Sequence, residues 1–337
     1  MQSHNVNRRQ LGAWLFAGLS GPVAQVAGGM AWQTVALTAL ACLTACWLMG
    51  HKTVKPGKWL CYIECAWLVF MLAALGRWMA GSWADGNVYP AVPLILLTLG
   101  AASAGRGNAM AARAGSAVFW LVALFCSIAL VAGVGQVELQ ELAKFNGKLD
   151  LRLVAVLLIP SLTVFLPGDK KKVPVGALVG IGGFTILLSV LVTGELSLPV
   201  AQSVQMPLYE WVEGLSLAGA LQRFESLVSV AVTMAWFAAV SFVLTIAGEL
   251  LDHMKKERAV WCTAALAAVI MLSKVGIKAE IMVFCAILLW IIIPVILAFC
   301  GRKKKFEIYE NNARQMKMLV IIYASTSARA AGRTEKT

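Results

Sequence analysis

Ionisable side chains are rare within the long apolar segments of this sequence, and those that occur there are the first candidates for chemistry. Glu64 lies about five residues into an apolar segment that runs roughly from Trp59 to Gly81. If that segment is a membrane helix, the carboxyl group is ~8 Å deep at 1.5 Å per residue. A carboxylate at that depth is costly unless it is paired or hydrated. Glu64 is therefore a candidate ligand-binding or proton-carrying residue.

A polar stripe opens a second apolar segment, roughly Gln222–Leu251. Arg223 and Glu225 begin it, and Ser229 and then Thr233 follow Glu225 at a spacing of four, which places these side chains on one helix face. Two interpretations stay open. The stripe is the wall of a ligand vestibule, with Arg223 and Glu225 as an outer gate, or it is a charged helix end with a structural ion pair.

Glycine and proline interrupt two other apolar segments. Gly18-Leu19-Ser20-Gly21-Pro22 lies within the first, and Pro160-Ser161-Leu162-Thr163 lies within the sixth. Proline removes a backbone donor and clashes with the carbonyl four residues earlier. Inside a membrane, irregular backbone is tolerated only where it is buried in protein or lines a cavity. The pattern predicts two broken helices, and the alternative for the first is a simple kink or packing notch.

The elements that position these residues follow from composition. Of 337 residues, 60% are hydrophobic and 14% are charged, against roughly 45–50% and about 25% in soluble proteins. Lipid must therefore be part of the solvent, and a helix of about 20 apolar residues spans it. The sequence predicts an all-α membrane protein with about ten spans, close to 10–29, 30–50, 59–81, 89–104, 115–135, 151–167, 173–195, 222–251, 260–275 and 280–301.

Lysine and arginine fall mainly in the loops on one side of this ten-span arrangement. Such a bias marks the cytoplasmic side, so residues 1–9 and the basic tail 302–337 are both predicted to be cytoplasmic, with the tail near anionic lipid. Because the net charge of +12 lies in short loops, it does not indicate nucleic-acid binding. The eight cysteines lie mostly inside apolar segments, where we interpret them as small hydrophobic residues.

No nucleotide-binding, hydrolase or zinc motif is present in the sequence, and its three histidines are scattered. We therefore expect neither an enzyme nor a protein that carries a metal or another cofactor. The ten spans divide into two halves, 10–135 and 151–301, whose first members are the interrupted segments. Interruptions at matching positions of two halves indicate a transporter-type binding site near the bilayer midplane. The predicted ligand-binding residues are Gly18, Ser20, Gly21, Gln25, Glu64, Pro160, Ser161, Thr163 and Ser229.

Several stretches together resemble the GerAB-type spore germination permeases. The resemblance rests on Gly194-Glu195-Leu196-Ser197-Leu198-Pro199, on Met206-Pro207-Leu208-Tyr209 and on Gln222-Arg223-Phe224-Glu225-Ser226-Leu227. Arg9-Gln10-Leu11 and Ala112-Arg113 agree with it, and it covers roughly residues 8–302. The sixth segment departs from the family pattern, because Val164-Phe165-Leu166-Pro167-Gly168 replaces an acidic glycine motif.

This resemblance implies a place in the amino acid–polyamine–organocation superfamily and a LeuT-like fold of two inverted five-helix repeats with broken first and sixth helices. It implies the B subunit of a germinant receptor in the inner membrane of a bacterial spore. The partners would be an A-type subunit and a C-type lipoprotein subunit. The ligand would be a small nutrient germinant, commonly an amino acid.

Two other functions compete with germinant sensing. The first is a proton-coupled transporter of amino acids or other small solutes, in which Glu64 carries the proton. The second is an assembly subunit that keeps the transporter fold and binds no ligand.

Overall fold

The computed structural model describes residues 6–50, 57–82, 91–145, 148–166, 174–204, 206–215, 224–251, 254–273 and 278–297. Regular structure in these residues is entirely helical. Arg223 and the tail 302–337 lie outside them, and so does the side chain of Glu225. The helices are α1 Arg8–Ala27, α2 Trp32–Gly50, α3 Lys58–Ser82, α4 Ala91–Gly105, α5 Asn108–Gly133, α6 Leu139–Leu142, α7 Leu151–Leu157, α8 Val175–Leu196, α9 Leu198–Ser203, α10 Pro207–Gly214, α11 Phe224–Leu250, α12 Lys256–Leu272 and α13 Ala279–Ile287.

Each predicted span coincides with a helical segment of the described structure. Among the described residues, six segments are long and apolar enough to cross a bilayer: α2, α3, α5, α8, α11 and the continuous run Ala279–Leu297 that contains α13. Two shorter apolar segments, Ala91–Gly105 and Leu151–Phe165, add to them. The chain is therefore an all-α, multi-pass membrane protein, as predicted.

The contacts between helices follow a similar pattern in the two halves of the chain. In this comparison the helices α1, α2, α3, α4 and α5 of the first half correspond, in order, to α7, α8, α11, α12 and α13 of the second half. The α1–α5 contact corresponds to the α7–α13 contact, and the α3–α12 contact corresponds to the α11–α4 contact. Four helices of the first half each contact their own counterpart in the second half: α1 contacts α7, α2 contacts α8, α3 contacts α11, and α4 contacts α12. These correspondences agree with an arrangement of two five-helix repeats, although the extensive α1–α11 contact has no α7–α3 counterpart of similar extent among the described residues.

The sixth span is broken, as predicted. Helix α7 ends at Leu157, and a buried 3-10 segment follows at Ile159–Phe165, with Pro160 in its first turn. The break leaves backbone carbonyl groups without their helical hydrogen-bond donors, and a side chain of α2 donates to one of these carbonyl groups. The thiol of Cys46 donates to the Leu157 carbonyl at 3.3 Å.

The predicted break in the first span is wrong, because α1 is one continuous helix through Gly18, Gly21 and Pro22. The two glycines are contact points for α11 instead. A Cβ on Gly18 would lie 3.0 Å from the Ala239 nitrogen. Glycine at these positions lets the two backbones approach closely, which is how membrane helices associate. The alternative of a packing notch is the one that the structure supports.

We expect Gly21→Ala to destabilise the bundle by about 1–3 kcal/mol, the usual cost of overpacking. The added methyl would lie 2.9 Å from the Ala235 Cβ and 3.0 Å from the Val232 carbonyl oxygen. The measurement is the free energy of unfolding in detergent. Gly183→Ala is the matched control, since a Cβ there meets nothing within 4 Å. Equal stability of the two variants would contradict the packing role of Gly21.

Candidate functional site

A polar pocket lies at the end of the bundle away from Arg8, and we name it the far-end pocket. It opens over about 1030 Å³ between the end of α1, the start of α7, helices α9 and α10, and the start of α13. Both signs of charge line it, together with amide groups, which suits a ligand that itself carries both charges. Its polar lining residues are Gln25, Lys148, Asp150, Arg152, Gln202 and Glu280.

An ion pair at the start of α7 organises one wall of this pocket. Asp150 caps the helix, since its carboxylate accepts a hydrogen bond from the Arg152 backbone N–H at 2.9 Å. The Arg152 side chain donates from Nε to the same carboxylate at 2.8 Å. The Arg152 side chain is 46% exposed and the Asp150 side chain 24%. The guanidinium is thus held in place and still open to a ligand.

An apolar cavity lies beside the middle of α1 and is separate from the far-end pocket. It is a small cavity of about 40 Å³ between α1, α5, α8, α10 and α11. Ser20 and Gly21 line it, but the Ser20 hydroxyl is engaged with the Ala17 carbonyl at 2.7 Å. The cavity therefore offers shape and apolar surface, with Trp211, Phe184 and Leu188 among its walls.

Glu64 lies elsewhere again, on α3, and its residue is fully buried. Neither of its carboxyl oxygens has a hydrogen-bonding partner among the described residues. The indole of Trp290 lies near enough to interact with the carboxyl group, without the geometry of a hydrogen bond. Trp290 belongs to a π-helical turn at Leu288–Ile292, just before Pro294. A π-turn of this kind is frequent at functional sites.

The remaining predicted residues are engaged locally. Pro160, Ser161 and Thr163 are buried in the 3-10 segment, where the two hydroxyls donate to the Leu158 and Pro160 carbonyls. Ser229 on α11 lies beside Tyr209 of α10. Burial raises the pKa of Tyr209, and its contact with Ser229 opposes that shift.

The predicted site is thus divided among several places. Gln25 lies in the far-end pocket, Ser20 and Gly21 line the apolar cavity, and Glu64 is apart from both. Gly18 and Pro160 are packing and backbone positions. The prediction missed Asp150, Arg152 and Glu280. A sequence signal existed, because the first two flank the start of the sixth span and the third begins the tenth.

The end of the bundle near Arg8 is held together by a polar network. The Asn108 amide donates to the Glu249 carboxylate at 2.9 Å, and the Lys256 ammonium contacts both side chains. These residues begin α5, end α11 and begin α12. The network ties three helices at the end opposite the far-end pocket.

No family model matches this chain, and no relative among curated proteins was found. Among solved structures, the crystal structure of MhsT in complex with L-phenylalanine is similar with a TM-score of 0.53 and 12% sequence identity. The match covers 88% of this chain and 89% of that one. The chain has a LeuT-like fold. At this identity the likeness establishes the fold alone.

The thiol that supports the broken sixth span gives a test of the site's framework. We expect Cys46→Ala to lower the free energy of unfolding by about 1–3 kcal/mol, because the Leu157 carbonyl is left buried without its donor. Cys46→Ser keeps a donor and should lose less. Cys42→Ala, one turn earlier on α2, controls for loss of thiol volume. A serine variant as unstable as the alanine variant would contradict the hydrogen-bonding role.

Proposed function

We propose that this chain is the membrane-embedded subunit of a spore nutrient-germinant receptor and that it binds a small zwitterionic solute, an amino acid, in the far-end pocket. We infer the chemical class of the ligand from the charged side chains that line the pocket. Arg152 suits a carboxylate, and Asp150 and Glu280 suit an ammonium group. A solved structure of similar fold holds L-phenylalanine, which supports a ligand of this class.

The position of the pocket supports a signalling role. It is formed by the end of α1 and the start of α7, the first helices of the two repeats. A ligand that contacts both repeats favours one of their relative arrangements over another, because it binds the two arrangements with different affinity. The A-type and C-type subunits that the sequence resemblance implies would respond to that shift in the spore inner membrane.

Arg152→Gln should weaken amino acid binding about 10–100-fold, the value of a charge-assisted hydrogen bond. Binding is measured on the purified chain by calorimetry against a panel of amino acids. Lys144→Gln is the matched control, because Lys144 forms an exposed ion pair with Glu141 outside the pocket. Unchanged affinity in Arg152→Gln would contradict this site. Failure of the native chain to bind any panel member would favour a ligand-free assembly subunit.

A test in spores separates the receptor from the pocket. Deletion of the gene should abolish the germination response to the amino acid that binds, and the native gene should restore it. The Arg152→Gln gene should restore it only at about 10–100 times the amino acid concentration. Normal germination without the gene would contradict the receptor role even where binding is confirmed.

Proton-coupled solute transport is the second proposal, and buried Glu64 favours it. An unpaired carboxylate in the membrane interior is costly. We therefore expect the Glu64 carboxyl group to be protonated while it is buried. A conformational change that hydrates it would release that proton, which is what coupling requires.

Glu64→Gln should abolish proton-driven uptake of labelled amino acid into proteoliposomes and leave binding within about twofold, since the neutral amide cannot release a proton. Glu257→Gln, an exposed position in the first turn of α12, is the control. Uptake that persists in Glu64→Gln would contradict this role. Absence of uptake by the native chain under any gradient would contradict transport, and the binding test would then decide between germinant sensing and a ligand-free assembly subunit.

A further inference from the structure

A long groove runs along the first half of α1, between α5 and α8, and we name it the α5–α8 groove. It opens over about 1520 Å³ on the surface of the bundle. Aromatic rings form its floor. The Phe16 ring contacts Phe119 and Phe184, with centroids 5.4 and 5.8 Å apart. Gly176 and Gly180 of α8 leave space at its edge.

The length of this groove matches one leaflet of a bilayer. Ser116 and Ser127 mark its extent on α5, and they are ~17 Å apart along the axis at 1.5 Å per residue. The hydrocarbon core of a bilayer is about 30 Å thick, so each leaflet contributes about half of that. A single acyl chain therefore fits the groove from the headgroup level to the midplane.

The deep end of the groove meets the apolar cavity. Cys126 and Phe184 line both spaces. The end of a chain that follows the groove would thus lie against Cys126 and Phe184, next to the apolar walls that Leu188 and Val232 give the small cavity. Two adjoining apolar spaces favour a long flexible hydrocarbon over a compact solute.

The shallow end of the groove is positively charged. Arg8 and Arg9 line it, both exposed, in the first turn of α1. The positive end of the helix dipole lies at the same place. Among the described lining residues of the groove none is acidic. The charge therefore complements an anionic headgroup.

A second groove on the surface of the bundle lacks the positive charge of the α5–α8 groove. It lies between α2 and α8, on the other side of α8, and opens over about 920 Å³. Leu40, Trp47 and Val179 are among its walls, and its described lining contains no charged side chain. Ordinary lipid contact suffices for that surface, whereas the α5–α8 groove distinguishes among headgroups.

We propose that the α5–α8 groove binds one anionic phospholipid from the bilayer. Its phosphate group contacts Arg8 and Arg9, and one acyl chain runs over Phe16 towards the apolar cavity. The site is separate from the far-end pocket, so the proposal does not depend on the solute that the chain binds.

The test uses the full chain in nanodiscs that contain phosphatidylglycerol and phosphatidylcholine, followed by native mass spectrometry of the lipid that the protein retains. The native chain should retain one phosphatidylglycerol in preference to phosphatidylcholine. Because each basic residue near a membrane surface contributes about a fivefold attraction, the variant with Arg8→Gln and Arg9→Gln together should lose about thirtyfold of that preference.

Gly180→Leu fills the groove without a backbone clash, since its Cβ would meet only the Phe16 ring, at 3.5 Å. It should abolish retention with both arginines present. Gly183→Leu is the matched control, because it lies on the same helix but lines the α2–α8 groove. It should retain phosphatidylglycerol normally.

Three outcomes would overturn the proposal. Equal retention of the two lipids by the native chain removes the headgroup preference. Retention by Gly180→Leu shows surface attraction without a groove, and retention by the arginine variant shows a groove without charge recognition. Should the double arginine variant fail to fold, Gly180→Leu against Gly183→Leu still decides whether the groove holds the lipid.

Discussion

Buried polar groups inside the hydrocarbon layer need hydrogen-bonding partners, and much of the packing of this bundle depends on which groups provide them. Water is absent there, so each unsatisfied group costs several kcal/mol. The Trp14 indole donates to the Ala238 carbonyl at 3.0 Å, and the Ser189 hydroxyl donates to the Met30 carbonyl at 2.6 Å. The Cys46 thiol does the same where the sixth span breaks. These bonds join segments distant in sequence and so hold the helices together. Because Ala238 lies within the continuous helix α11, the bond there satisfies the buried indole N–H of Trp14.

Helix α1 is the centre of this arrangement. It packs against α5, α7, α8 and α11, and small residues at the α11 contact hold the two backbones close. Its far end contributes Gln25 to the polar pocket, its middle contributes Ser20 to the apolar cavity, and its first turn contributes Arg8 to the α5–α8 groove. A movement of α1 would therefore reach all three spaces, while Asn108, Glu249 and Lys256 tie together three neighbouring helices.

The fold was largely predictable from the sequence, for a physical reason. Hydrocarbon thickness fixes the length of a span, and the need for internal hydrogen bonds allows only helices here. The apolar segments therefore matched α2, α3 and α8 to within a few residues. Proline and glycine also predicted the break after Leu157. The same residue types misled at Gly18–Pro22, because local chemistry does not distinguish an unwound helix from one that a close neighbour holds intact.

The sequence by itself determined which polar residues lie in apolar segments, and so which ones carry an energetic cost. Glu64 was identified in this way, and the structure buries it within the bundle. Only the tertiary structure decided which polar groups meet. Asp150, Arg152 and Glu280 surround one pocket with Gln25 although more than a hundred residues separate the first from the last. The contact of α7 with α13 within the second repeat brings Asp150 and Arg152 near Glu280, and the pairing of the two repeats adds Gln25. That pairing depends on contacts such as Gly21 with Ala235, which neither composition nor periodicity encodes.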